Sequence, residues 1–309
     1  MRPKDQQTGA QLREALAVFD RTVQPLPGVR EATNLQAFIE QLVESIRRIR
    51  YVDAIKARAI SAACADPQQE CFDPIKASVV HLRNGDREEA FWLVFLFVHF
   101  GKHGRGGWRY IREIYGRFGE GGLWNWATTS ADVVGFRDWL HKHRNTLMNK
   151  DTPGGFGNHR KYESLDARSD SGTGAVIESY VNWVKPPRTH EALVAGVLAE
   201  TANDPSKAFA LLYESMDALR RFGRTARFDY LTMLAKLGLA NIAPGSPYLI
   251  GATGPLKGAR LLFGFSGPSS RLDTLTTKLG IHLGAGMQVM EDALCNWQKS
   301  PADFKPFRG

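Results

Sequence analysis

The chain has 309 residues, 43% hydrophobic and 23% charged, the proportions of an ordinary globular protein rather than a disordered or fibrous one. Its 40 Lys and Arg against 32 Asp and Glu leave a formal charge of +8, which points to a polyanionic partner. Three cysteines, Cys64, Cys71 and Cys295, rule out an even disulfide framework and show no C-x-x-C spacing, so a reducing cytoplasm is the expected setting.

The N-terminal stretch MRPKDQQTGAQLREALAVFD has no uninterrupted apolar run, so no secretory signal is expected. Residues 10–22 read as a short amphipathic helix, followed by a PLPG turn at Pro25–Gly28. From Leu35 to about Ala63 the residues Ile39, Leu42, Val43, Ile46, Ile49, Ile55 and Ile60 recur at helical spacing. Arg47, Arg48, Arg50, Lys56 and Arg58 form the other face, which reads as solvated. Residues 1–34 are thus an N-terminal helix and linker, and residues 35–309 one large helical domain. If that domain has two lobes, their cleft is expected near 150–175 and 222–264.

Asp86 and Glu89 have the spacing of a capping box ahead of a helix over 87–99. The apolar run Ala90–Val98 within it is too short to cross a membrane and predicts burial. His99 and His103 are four apart, as in a helical metal pair, but a glycine separates them and no HExxH pattern supplies a third ligand. No metal site is expected. Trp108, Ile111, Tyr115 and Phe118 mark the next helix, and Ser130 reads as the cap of one carrying Phe136 and Leu140. Trp124 and Trp126, between them, are expected in the core rather than stacked on bases.

Asp151 to Gly174 is a long segment rich in Gly, Asp and Ser, of a kind that compact domains seldom carry without a role. At its centre Asn158, His159, Arg160, Lys161, Tyr162 and Glu163 bring together donors, cations, an aromatic ring and an acid. That mixture suits contact with nucleic acid, with Glu163 a candidate for proton transfer. Helices are predicted over 174–184, 190–201 and 205–222, the last opened by Asp204 as N-cap and Pro205 at its first position.

Phe222 to Gly264 then forms a helix, with Phe228, Leu231, Leu234, Leu237 and Leu239 near one face, and a glycine-rich turn entering another helix. Gly254, Lys257, Gly258 and Arg260 at that turn read as a phosphate clamp: glycines for close approach, freed amides and cations for the anion. Asp229, on the preceding helix between Arg224, Arg227 and the turn, is the leading catalytic candidate. Asp273 lies nineteen positions after Gly254, an arrangement similar to that of helix-hairpin-helix DNA glycosylases, although G-x-x-G replaces the tighter G-x-G. The last helix, Met287–Lys299, has an apolar face of Met287, Met290, Leu294 and Trp297. It carries two adjacent acids, Glu291 and Asp292, as reserve catalytic candidates. The whole pattern is all-α.

The segments FDPIKAS (72–78), FGNHRKYESL (156–165), FGRTARFDYLTMLAKLGL (222–239), YLIGATGPLKGARLLF (248–263) and EDALCNWQKSP (291–301) together resemble the α-glutamyl/putrescinyl-thymine pyrophosphorylase family, clade 3. That family is considered related to the DNA glycosylase superfamily, so the resemblance implies a multi-helix, glycosylase-like fold and a DNA substrate. Its phage branches are associated with hypermodified thymines, made by displacing pyrophosphate from an activated hydroxymethyl-pyrimidine. A motif like G-R-x-x-A-Y-E in those branches corresponds here to Gly223, Arg224, Arg227, Phe228 and Asp229, with the acid shortened. A motif like E-x-x-L-C-E-x-D-K corresponds to Glu291 to Lys299, with Asn296 and Gln298 in place of two acids. These departures shift the expectation from transferase chemistry to excision of a modified base from phage DNA. The expected mechanism flips the target nucleotide into a pocket beside Asp229, with Arg224 and Arg227 holding phosphates and lowering the pKa of that acid. No cofactor is expected.

Overall fold

In the computed structural model of the chain, residues 2–306 are described, the side chain of Asn158 excepted. Among them the regular structure is helical throughout and no strand forms, as the all-α reading expects. The helices are α1 (Gln6–Thr22), α2 (Ala32–Ala57), α3 (Pro74–Arg83), α4 (Arg87–Phe100), α5 (Arg109–Tyr115), α6 (Trp126–Ala131) and α7 (Val133–Leu147). They continue with α8 (Thr173–Val184), α9 (His190–Glu200), α10 (Pro205–Ser215), α11 (Arg224–Leu237), α12 (Gly254–Phe263), α13 (Ser269–His282) and α14 (Met287–Trp297). No helix among the described residues is long and apolar enough to cross a membrane.

The chain divides into two compact units, residues 1–54 with 244–308, and residues 55–243. In the first, the stripe Leu12, Leu16 and Phe19 of α1 joins Phe38 and Leu42 of α2, Leu262, Leu279, Met290, Leu294 and Trp297 in one apolar core. The first helix therefore packs with the last three. Phe19 meets the His282 ring edge-on at 5.4 Å, and His282 Nε2 donates to the Ala15 carbonyl at 3.0 Å.

The second unit is built around α4, whose run from Ala90 to Leu96 is buried on every side. Phe95 stacks on Tyr180 at 3.7 Å and on Phe222 at 5.3 Å, and Trp92 Nε1 donates to the Trp124 carbonyl. Trp124 and Trp126 are both core residues. Asp86 caps α4 by accepting from the Glu89 amide, but Glu89 does not complete the box. Its carboxylate instead accepts from the Trp126 amide at 2.7 Å, tying α6 to α4. Ser130 is not a cap: the helix it was expected to open starts at Val133, where Asp132 accepts from the Gly135 amide. Asp204 caps α10 through the Ser206 and Lys207 amides. That helix stops at Ser215, short of the expected 222, and a 3-10 turn over Met216–Ala218 follows. Gly238, left-handed at φ 76°, ends α11.

Candidate active site

The site in the second unit starts from a helix end. The last carbonyls of α4 have no helical partners, and the segment after Gly155 supplies them. The Gly157 amide donates to Phe100 O at 2.7 Å, and Arg160 Nε donates to Val98 O at 2.8 Å. Gly101, at φ 64°, lets the chain turn away, and the two glycine backbones touch: a β-carbon on Gly157 would stand 2.8 Å from the Gly101 carbonyl carbon.

The far end of the segment is clasped as well. Thr173 donates to Ser164 O from both its amide and its hydroxyl, each at 2.8 Å. With its proton committed there, Thr173 Oγ1 accepts from His99 Nε2 at 3.1 Å, so His99 carries its proton on Nε2. Burial pushes the His99 pKa down to about 3, aided by the Arg160 charge, and the ring is neutral. His103, four residues on, accepts from the Gly106 amide through Nδ1. Among the described residues no three His, Cys, Asp or Glu side chains converge as a metal site.

Arg160 is the hinge of the electrostatics. It is 9% exposed, with its guanidinium 5.8 Å over the Phe222 ring, and Nη2 has no hydrogen-bond partner among the described residues. Burial pulls its pKa down, and the charges of Asp229 and Glu163 pull it back. Asp229, half-buried on α11, lies in the field of four basic side chains: Arg160, His159, Lys236 and Arg224. The expectation of a lowered pKa is overturned, because burial outweighs all four and the net direction is upward. No hydrogen bond reaches the Asp229 carboxylate from the described residues.

The other predicted residues of this unit divide by exposure. Glu163 is held by Arg221 at 3.2 and 3.4 Å, and the same guanidinium donates to Tyr162 O. Arg227 is absorbed by the fold. It pairs with Asp217, donates to Phe222 O at 2.9 Å and lies 5.2 Å over the Tyr213 ring. Arg224 lies 4.9 Å over Phe228. His159, Lys161 and Tyr162 are exposed, Tyr162 at 79%, with Lys161 Nζ 5.0 Å over its ring. The Asn158 side chain lies outside the described residues.

The remaining candidates belong to the first unit. Here the two glycines of the expected phosphate clamp have a packing role. A β-carbon on Gly258 would stand 2.4 Å from Leu294 O, and one on Gly254 2.8 Å from Cys295 Sγ. Both glycines serve the close packing of α12 on α14, and that space is filled by protein. Lys257 and Arg260 are exposed on α12. Asp273 Oδ1 accepts from the Leu249 amide at 2.7 Å, anchoring the turn before α12. Asp292 pairs with Arg48 and accepts from Asn296 Nδ2 at 3.1 Å, and Glu291 is half-buried.

Several contributors escaped the sequence reading. Lys236 lies two helical turns beyond Asp229, a spacing that puts both on one side of α11 and was there to be read. His99 and Thr173 gave no signal as partners 74 residues apart. A buried chain was also unseen: Glu88 meets His190 Nδ1 at 2.6 Å, His190 Nε2 meets Tyr180 OH at 2.7 Å, and Tyr180 OH meets Tyr230 OH at 2.7 Å.

No curated protein and no solved structure matches the chain. The family model described as alpha-glutamyl/putrescinyl thymine pyrophosphorylase clade 3 matches residues 33–309. That match spans both units and every candidate side chain named above, and the chain belongs to this family.

Proposed function

We propose that the chain is a DNA-modifying enzyme that excises a hypermodified pyrimidine from phage DNA by hydrolysing its N-glycosidic bond, as an antiviral defence. Membership of a thymine pyrophosphorylase clade supports the coarser part, an enzyme acting on modified bases in DNA. The observation that carries the finer part is Asp229: a half-buried carboxylate in the field of Arg160 and His159, which belong to the loop that also carries the exposed Lys161 and Tyr162.

In this reading the target nucleotide is flipped out and one of its neighbours stacks on Tyr162. Exposed basic side chains such as His159 and Lys161 hold the strand through its phosphates. Water attacks C1′ while the C1′–N bond breaks, the bonding pair leaves with the base, and the proton of water passes to Asp229. A raised pKa makes Asp229 a better acceptor for that proton, and its charge stabilises the oxocarbenium-like sugar. The family description favours a second reading on the same DNA, in which an amine or amino acid displaces pyrophosphate from an activated base.

The test is base release. The protein is incubated with DNA carrying unmodified, hydroxymethylated, glycosylated or aminoacylated pyrimidines, and alkali then reveals abasic sites. Breaks confined to one modified DNA, and reduced about 10²–10⁴-fold in Asp229→Asn, are expected for a glycosylase with this general base. Intact strands that become labelled when an amine is added would transfer the reading to the transferase. Binding of modified DNA without either product, unchanged in Asp229→Asn, would make the chain a reader.

A further inference from the structure

The chain leaves α4 through a turn that the proposed reaction does not use. Residues 102–107, Lys-His-Gly-Arg-Gly-Gly, close on themselves: the His103 amide donates to Gly107 O at 3.0 Å and the Gly107 amide to His103 O at 2.9 Å. The Gly106 amide donates to His103 Nδ1 at 2.9 Å, which ties the turn across its middle. One side of it lies along the segment that leads into the Asp229 site. A β-carbon on Gly106 would stand 2.3 Å from Pro153 O, and one on Gly155 3.0 Å from His103 Cδ2. With the contact of Gly101 on Gly157, the turn and residues 153–157 form one packed body, and the chain runs straight on from it to His159, Lys161 and Tyr162.

The other side is open, basic and unpaired. A β-carbon on Gly104 or Gly107 would meet nothing within 4 Å. Packing accounts for Gly106 and a left-handed φ of 56° for Gly107, but neither explains Gly104. A glycine there keeps the backbone open to close approach. The amides of Gly104 and Arg105 have no hydrogen-bond partner among the described residues, and neither has the exposed Arg105 guanidinium. Lys102, also exposed, has its Nζ 5.7 Å over the Trp108 ring. No acid occurs between His99 and Arg112, and the next, Glu113, is held by Arg109 at 2.7 Å. Two successive amides with a guanidinium and an ammonium beside them are the donor set that an anionic oxygen takes.

We infer that this turn is a backbone clamp for the DNA strand presented to the Asp229 site: Arg105 and the amides of Gly104 and Arg105 hold one phosphodiester, with Lys102 beside it. Amides and a guanidinium on a fixed turn position a strand without reading its sequence. A continuous polyanion fits better than a small free phosphate, because the turn is an open surface that shares one packed body with the basic loop 156–163. The inference rests on the part of the proposed function that makes DNA the substrate, and not on the reaction at Asp229.

The test is the salt dependence of binding. The full chain is titrated with an unmodified, fluorescein-labelled duplex at a series of sodium chloride concentrations, and log K is plotted against log salt. Each phosphate contact on a duplex contributes about −0.9 to that slope. Arg105→Gln, at an exposed position, should keep the parent's melting temperature, make the slope shallower by about 0.9 and weaken binding roughly fivefold to tenfold near about 0.1 M salt. Arg105→Lys should restore the slope, since a phosphate contact needs the charge whereas a bidentate base contact needs the fork. Lys207→Gln, which removes an exposed charge from α10, controls for net charge and should leave the slope as in the parent. The inference is overturned if Arg105→Gln keeps the parent slope, if Lys207→Gln changes it as much, or if the parent shows no salt-dependent binding of DNA. Base release is read separately. A chain that binds in this way but releases no base loses only the glycosylase reading, and one that releases base with an unchanged slope in Arg105→Gln loses only the clamp.

Discussion

Glu89 should make the fold less stable as the pH rises through neutrality. It is 5% exposed, and burial lifts its pKa from 4.5 to about 7 against the pull of the Trp126 amide and the Tyr115 hydroxyl. Because the folded value lies above the unfolded one, the protonated acid favours the folded state. That stabilisation is fully present below about pH 4.5 and lost as the pH climbs through about 7. At about 1.4 kcal/mol per pH unit, the rise corresponds to about 3 kcal/mol in total, most of it falling between about pH 5 and about pH 8. Glu89→Gln keeps an oxygen for the Trp126 amide and abolishes the titration. Urea unfolding of both proteins at those two pH values is the assay. The stability of the variant relative to the parent should rise by about 2–3 kcal/mol from the lower to the higher pH. His99 moves the other way, since its value lowered from 6.5 to about 3 removes stability as the pH falls. It is common to both proteins and cancels in the difference. Parallel pH curves for parent and variant would refute the reasoning, for they would mean that Glu89 is buried without cost to its charge.

Three further substitutions separate roles within the structure. Arg160→Met leaves Val98 O without its donor and Asp229 without the charge that acts on it most strongly, and should cost about 2–4 kcal/mol in urea unfolding; a loss below about 0.5 kcal/mol would contradict a capping role. Gly258→Ala forces a β-carbon to within 2.4 Å of a backbone oxygen of α14, so a lowered melting temperature worth at least 1–3 kcal/mol is expected, and an unchanged one would mean that α12 can shift freely. Tyr162→Ala, at an exposed ring, should leave the melting temperature unchanged but weaken single-stranded DNA binding by about 1–3 kcal/mol in a fluorescence titration, and equal binding would remove the stacking role.

Much of the fold was legible because it rests on local rules. Asp86, Asp204 and Gly238 end or begin helices as short side chains and glycines do, and the run Ala90–Leu96 could only be a buried helix. What failed were choices between two local partners settled at long range. Glu89 had Asp86 within reach yet went to Trp126, 37 residues away, because α6 presents a buried amide there. Gly254 and Gly258 also admit the close approach of α14, a long-range packing role that nothing local announces. In the site itself, the loop 156–163 was visible as a cluster of residue types, but not that its arginine would be spent on Val98.

The anchoring of Arg160 explains how a carboxylate among four basic side chains remains available for chemistry. An arginine free to swing would form a bidentate pair with Asp229, occupy its lone pairs and drive its pKa down. Here Nε is committed to Val98 O and the guanidinium plane to Phe222, so Arg160 acts on Asp229 through its field rather than through a hydrogen bond. Lys56, on the same unit, donates to Lys236 O and so steadies the backbone that carries another of the four. The cations therefore offset part of the cost of burying Asp229 without consuming its oxygens. Among the described residues no donor occupies its oxygens, which can receive a proton or face a developing positive charge, and this follows from the helix end of α4 being capped by the Arg160 side chain.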